Sequence, residues 1–90
     1  MSNTGAENPL SEAEIIELRK QIDALDRTIL DAVKKRAEVS KAIGESRRLS
    51  GGTRLVNTRE VAIINKFRDE IGEEGPALAG ILFRMGRGKL

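Results

Sequence analysis

The sequence predicts an all-α protein of three helices, long, medium and short, that forms an intertwined homodimer with its long first helices antiparallel. Composition is one reason: a third of the residues are charged, the apolar residues are mainly aliphatic, and two phenylalanines are the only aromatics. A second is an apolar stripe, with steps of three and four residues, that runs from residue 15 to 43 without glycine or proline. The third is size, because 90 residues form only a marginal core of their own.

The first helix is predicted from about residue 12 to about residue 48. Ser11 fits an N-cap, and Glu14 three residues later completes a capping box. The stop is the pair Gly51 and Gly52. At about 1.5 Å per residue the helix measures roughly 55 Å, whereas a compact domain of this size has a radius of gyration near ~12 Å. A second copy of the chain, laid antiparallel, would cover the stripe.

A connection over residues 50–57 leads to the second helix, which is predicted to start near Asn57 or Thr58. Asn57 and Glu60 form a weaker version of the capping box, and the apolar face of this helix ends at Gly72.

The loop GEEG separates the second helix from the third, which is predicted over about residues 76–86 with Pro76 as a favoured first residue. This helix is apolar on most sides, as expected for a short buried element, and Gly86 and Gly88 weaken its end. Residues 1–9 are polar and end in proline, so we expect a disordered tail on a single domain that spans residues 1–90.

The absence of cysteine and histidine excludes disulfides, common zinc ligand sets, thiol nucleophiles and imidazole acid–base chemistry. We therefore expect neither a metal nor a cofactor. The sequence has no run near the roughly 20 apolar residues of a membrane span, and its start lacks a signal pattern. A cytoplasmic protein without a membrane partner is expected. Mixed charges and the lack of an aromatic platform argue against a nucleic-acid partner.

Arg36 occupies a position of the apolar stripe where a leucine is expected. The other stripe residues are Ile15, Leu18, Ile22, Leu25, Ile29, Ala32, Val39 and Ile43. A guanidinium keeps its proton in a protein, so this arginine must meet an anion. Two interpretations remain open: Arg36 snorkels to solvent or pairs with a structural glutamate, or it binds a ligand anion in the bundle core.

Four other charged residues could join Arg36 at one site. Arg47 lies about 16 Å further along the same helix, and Arg59 and Glu60 fall in the first turn of the second helix. Arg19 is about 26 Å from Arg36 along a straight helix, so it would reach Arg36 only from the second chain of an antiparallel dimer. For each of the four, a solvated surface charge is the alternative.

These residues belong to a longer pattern, which consists of LRKQIDALDRTILDAVKKRAEVSKAIGESR, a loop, and TRE at the head of the second helix. The pattern resembles the all-helical chorismate mutase family over nearly all of residues 10–90. In GGTRLV, NTRE and the ending LFRMGRGKL it is most similar to the short, stand-alone intracellular members from actinobacteria. The resemblance implies an isomerase that converts chorismate to prephenate in phenylalanine and tyrosine biosynthesis. This pericyclic step transfers no proton, so it needs positioned cations rather than histidine or cysteine.

The resemblance also implies residue roles. Arg36 and, from the partner subunit, Arg19 match the carboxylate clamps of the family, and Arg59 matches another arginine that lines the site. Arg47 matches a Lys or Arg that donates to the ether oxygen. Glu60 matches the carboxylate that contacts the substrate hydroxyl.

Two further positions complete this comparison with the family. Val56 falls where some members have Asp, so it contributes only its backbone. Longer members extend the third helix beyond the point that Leu90 reaches here, so the resemblance implies weak activity alone. It also implies activation when the C-terminal segment docks on 3-deoxy-arabino-heptulosonate 7-phosphate (DAHP) synthase. The predicted contact residues are Arg84, Met85, Gly86, Arg87, Gly88, Lys89 and Leu90.

Two alternatives remain at this point. Isochorismate pyruvate lyases share the fold and the arginine positions. A non-catalytic dimeric helical adaptor, in which a glutamate across the dimer pairs with Arg36, would also fit the pattern.

Overall fold

The computed structural model describes residues 8–51 and 57–87. Its helices are α1 (Glu12–Leu49), α2 (Asn57–Ile71) and α3 (Gly75–Arg87), and a short 3-10 helix (Gly72–Glu74) joins the last two. The predicted all-α fold with a long, a medium and a short helix is confirmed. No helix in these two ranges combines the length and the apolar character that crossing a membrane requires.

Several sequence predictions fall on residues outside the described ranges. They are most of the predicted tail, most of the connection between α1 and α2, and the candidate residues Val56, Gly88, Lys89 and Leu90.

The predicted capping box at the start of α1 is confirmed. The backbone N–H of Ser11 donates to Glu14 Oε1 at 2.8 Å, and the backbone N–H of Glu14 donates to Ser11 Oγ at 3.1 Å. Two of the N–H groups that a helix start leaves without partners are satisfied in this way. At the other end Gly51 has a φ of +82°, a conformation that glycine adopts without steric cost.

The connection between α2 and α3 is tighter than the predicted loop. Gly72, with a φ of +88°, ends α2 as predicted. The next residues form a 3-10 turn, and α3 begins at Gly75, one residue before the predicted start. A Cβ atom on Gly75 would collide with the backbone of Phe67. Because glycine stands there, α3 can start directly against α2, and the two helices run antiparallel.

The end of α3 packs against α1 and extends one residue beyond the predicted end; that Gly86 and Gly88 weaken this end stays a prediction. Gly86 is helical and buried, and a Cβ atom at this position would lie 2.5 Å from Ser40 Oγ. The close approach to α1 compensates for the low helix propensity of glycine. Consequently α3 continues through Arg87.

The chain divides into two compact units, Met1–Asp31 and Ala32–Leu90; that they form a single domain stays a prediction. In the described part of the first unit, Ile22, Leu25 and Ile29 of the stripe are each more than half exposed. The second unit contains the C-terminal part of α1 together with α2 and α3. Within residues 8–51 and 57–87, the buried apolar side chains are Ala79 and Leu82 alone. The described parts of a single chain therefore bury few of their apolar side chains.

Candidate active site

Arg36 is half-buried in the second unit, where it faces an aromatic ring. Its guanidinium carbon lies 5.9 Å from the centroid of the Phe83 ring, on α3. At this distance a cation is attracted to the ring face, but the ring does not neutralise its charge. None of the ion pairs among the described residues includes Arg36. The protein thus orients this cation without supplying a carboxylate from the described part of the same chain.

The neighbouring arginines at the end of α1 differ in their partners. Arg48 binds the Glu45 carboxylate through its Nε, at 3.3 Å from Oε1, and through its Nη2. The hydrogen bond from Arg48, followed by its positive charge, lowers the pKa of the Glu45 carboxyl below its usual range. Arg47 is exposed, and in the described ranges its side chain forms no ion pair. Of the two, Arg47 is therefore the cation that remains available to a ligand.

Glu60, in the first turn of α2, is half-buried and binds the last residue of α3. Arg87 Nη2 donates to Glu60 Oε2 at 3.0 Å and to Glu60 Oε1 at 3.3 Å. Arg59 beside it is exposed and forms no ion pair among the residues that the structure describes. The predicted cap between Asn57 and Glu60 stays a prediction, since the Asn57 side chain is not described.

The structure brings two of the predicted site residues to successive turns at the C-terminal end of α3. Arg36 from α1 faces Phe83, and Glu60 from α2 binds Arg87, one helical turn later. Sequence reasoning missed Phe83 as a site residue and placed Arg87 only in a partner-binding segment. The available signal was their spacing, because residues four apart lie on one face of a helix.

Within the described part of the second unit, no ion pair joins Arg47 or Arg59 to Arg36 or Glu60. Arg47 and Arg59 lie in the second unit, and Arg19 is exposed on the first. No group of three or more potential metal ligands occurs in the described parts of the chain. In the second unit, Arg36, Arg47 and Arg59 form no ion pair among the described residues, and Glu60 is paired with Arg87. These charges suit a small anionic ligand that also carries a hydrogen-bond donor.

Comparisons with known proteins point to one family. The family model described as chorismate mutase type II matches residues 18–84. An intracellular chorismate mutase of Mycolicibacterium smegmatis is 53% identical over 77 residues, which are 86% of this chain and 74% of that protein. An intracellular chorismate mutase of Mycobacterium tuberculosis is 56% identical over 77 residues, or 86% of this chain and 72% of that protein.

A solved structure is also similar to this chain. It is a non-covalent complex of DAHP synthase and chorismate mutase from Corynebacterium glutamicum with a bound transition state analog. The match has a TM-score of 0.84 and 72% sequence identity, and it covers 91% of this chain and 99% of the matched one.

Replacing Arg36 with methionine tests whether this cation has a structural partner. We expect the free energy of unfolding to change by no more than about 1 kcal/mol, the size of an exposed cation–π contact. Breaking a buried ion pair would instead cost about 3–5 kcal/mol. Urea unfolding at a fixed protein concentration measures the difference, and Arg27→Met is the control, since it removes an exposed pair with Asp31. A loss as large as that of a buried pair would favour the adaptor alternative.

Proposed function

The chain belongs to the chorismate mutase type II family, and we propose that it converts chorismate to prephenate in phenylalanine and tyrosine biosynthesis. The reaction breaks a C–O bond and forms a C–C bond in one pericyclic step. The observation that carries the proposal is Arg36, a half-buried cation that is oriented by Phe83 and has no carboxylate partner among the described residues. A dicarboxylate substrate supplies the anion that this arginine requires.

In the proposed mechanism, arginines hold the substrate in the folded conformer from which it reacts. Arg36 binds one carboxylate, Arg19 of the partner subunit binds the other, and Arg59 adds positive charge beside them. The entropy cost of bringing the reacting ends together is then met when the substrate binds. Because it no longer falls in the chemical step, the activation barrier of that step is lower.

Two further side chains act on the oxygens of the substrate. Arg47 donates to the ether oxygen, where negative charge grows as the C–O bond breaks, so this hydrogen bond strengthens in the transition state. Glu60 accepts the hydrogen bond of the substrate hydroxyl, and Val56 contributes only its backbone. Neither a metal nor a cofactor enters the proposed mechanism.

We further propose an intertwined homodimer with antiparallel first helices. The support is the exposed stripe: Ile22, Leu25 and Ile29 are more than half exposed, and so is Ile43 near the other end of α1. Fully burying a side chain of this size gains about 1.5–3 kcal/mol. A second copy offers the same stripe in return, and its antiparallel direction would bring its Arg19 towards Arg36.

The proposed macromolecular partner is DAHP synthase, which would dock on the C-terminal segment that begins at Arg84 and raise the mutase rate. The support is the solved Corynebacterium glutamicum complex, in which chorismate mutase is bound to that enzyme. The proposed location is the cytoplasm, in keeping with relatives that are named intracellular.

Substituting Arg47 with alanine should lower kcat about 10²- to 10³-fold, the effect of removing one transition-state donor. The control is Arg48→Ala: this arginine is adjacent and has the same charge, but it binds Glu45. We expect Arg48→Ala to retain most of the activity. Initial rates of the loss of chorismate absorbance measure both variants, and equal losses would reject the role of Arg47.

Mixing two inactive variants tests whether Arg19 acts across the dimer. Arg19→Ala and Arg36→Ala should each be nearly inactive as homodimers. If both arginines serve one site from different subunits, each mixed dimer has one intact site. Coexpression with random pairing should then restore about a quarter of the wild-type activity. Mass spectrometry verifies that the samples contain mixed dimers. If such samples recover no activity, the two arginines either serve the site from the same subunit or lie outside it.

The main test is the turnover of chorismate by the wild-type protein, alone and after addition of purified DAHP synthase from the same source. We expect a low rate alone and a clear increase in the mixture, because the docked partner would hold the C-terminal segment in place. A variant that ends after Arg87 should keep its basal rate but lose the increase. No turnover in either condition rejects the mutase proposal, and turnover of isochorismate instead would establish the lyase alternative.

A further inference from the structure

We propose that Arg87 is a positioning residue that holds the Glu60 carboxylate where the active site binds the substrate hydroxyl. The inference rests on the proposed function and concerns a residue that the sequence placed only in the partner-binding segment. One nitrogen of Arg87, Nη2, donates to both Glu60 oxygens, at 3.0 and 3.3 Å. The two side chains are 44% and 26% exposed, so the carboxylate is the less accessible member of the pair.

The backbone that carries Arg87 is fixed by its neighbour. Gly86 is buried, and a Cβ atom on it would lie 2.5 Å from Ser40 Oγ and 2.8 Å from Ser40 Cβ. The last turn of α3 therefore rests directly on α1, and Arg87 extends from a defined position towards α2. An arginine on a loose end would lose much more conformational entropy when it bound Glu60.

The preceding turn of α3 faces Arg36, another of the proposed substrate-binding residues. Phe83, four residues before Arg87, faces the Arg36 guanidinium. Ser40, which contacts Gly86, follows Arg36 by four residues on α1. This end of α3 thus contacts two of the proposed substrate-binding residues, Arg36 on α1 and Glu60 on α2.

The geometry favours a holding role over a blocking one. A carboxylate has about four acceptor positions, and a single donor nitrogen of Arg87 engages it. Acceptor positions therefore remain for a substrate hydroxyl. The pairing also neutralises a carboxylate that would otherwise repel a dianionic substrate at short range. A blocking residue would have the opposite effect on activity, since its removal would accelerate the reaction.

Arg87→Ala tests this role in the full-length protein. We expect kcat/KM for chorismate to fall about three- to tenfold, chiefly through a higher KM, because the substrate hydroxyl is bound alike in the ground and transition states. Arg87→Lys, which keeps a charged donor, should recover most of the loss. The control is Arg68→Ala, which removes an arginine whose partner is Asn65 in the same helix; it should leave kcat/KM unchanged.

A second background separates positioning from a general effect on the fold. The Glu60→Gln variant lacks the carboxylate that Arg87 binds. Adding Arg87→Ala to this variant should therefore have little effect on kcat/KM. An equal fall in both backgrounds would overturn the proposal, and so would a faster Arg87→Ala enzyme. If wild type turns over chorismate but Arg87→Ala behaves like wild type, only this inference fails. If wild type shows no turnover with or without the synthase, the proposed function fails and this inference with it.

Discussion

The apolar stripe of α1 is the constraint on which the rest of the molecule depends. A helix of 38 residues keeps its conformation in water mainly through packing of its apolar face, yet Ile22, Leu25 and Ile29 remain more than half exposed. Within the described ranges, Ala79 and Leu82 are the only buried apolar side chains, and they cannot offset the entropy of ordering the chain. In the proposed dimer, folding and the completion of the active site are therefore one event, because the surface that covers the stripe also carries Arg19.

The elements of the fold were predictable to the extent that local residues determine them. The capping box of Ser11 and Glu14 is local, and both of its hydrogen bonds are present. The start of α3 was placed one residue late and the preceding loop was missed as a 3-10 turn, because that boundary depends on how closely Gly75 approaches the backbone of Phe67. The close packing of the end of α3 on Ser40 of α1 likewise has no signature in the local sequence.

In the candidate site, too, features set by local sequence could be predicted, whereas contacts between helices could not. Arg36 could be identified because a charge interrupts a regular stripe, but the ring that orients it lies on another helix. Glu60 had a local explanation as a cap, whereas its partner Arg87 is 27 residues away in the sequence. The different environments of Arg47 and Arg48 could be predicted from the sequence. Glu45 stands three residues before Arg48, which is the spacing of an ion pair on a helix.

The charges of the proposed site are arranged according to what each must do when the substrate binds. A cation that was already paired with a protein carboxylate would have to break that pair before it could bind the substrate. Arg36 avoids this cost because Phe83 orients it without neutralising it. The requirement for Glu60 is the reverse: an unpaired carboxylate would repel a dicarboxylate, so it needs a cation that leaves part of it free to accept a hydroxyl. Arg87 meets that requirement through one nitrogen. Since Phe83 and Arg87 are neighbours on α3, movement of that short helix would alter the surroundings of both Arg36 and Glu60. In the proposed complex, a partner bound at the C-terminal segment would change the catalytic rate in this way.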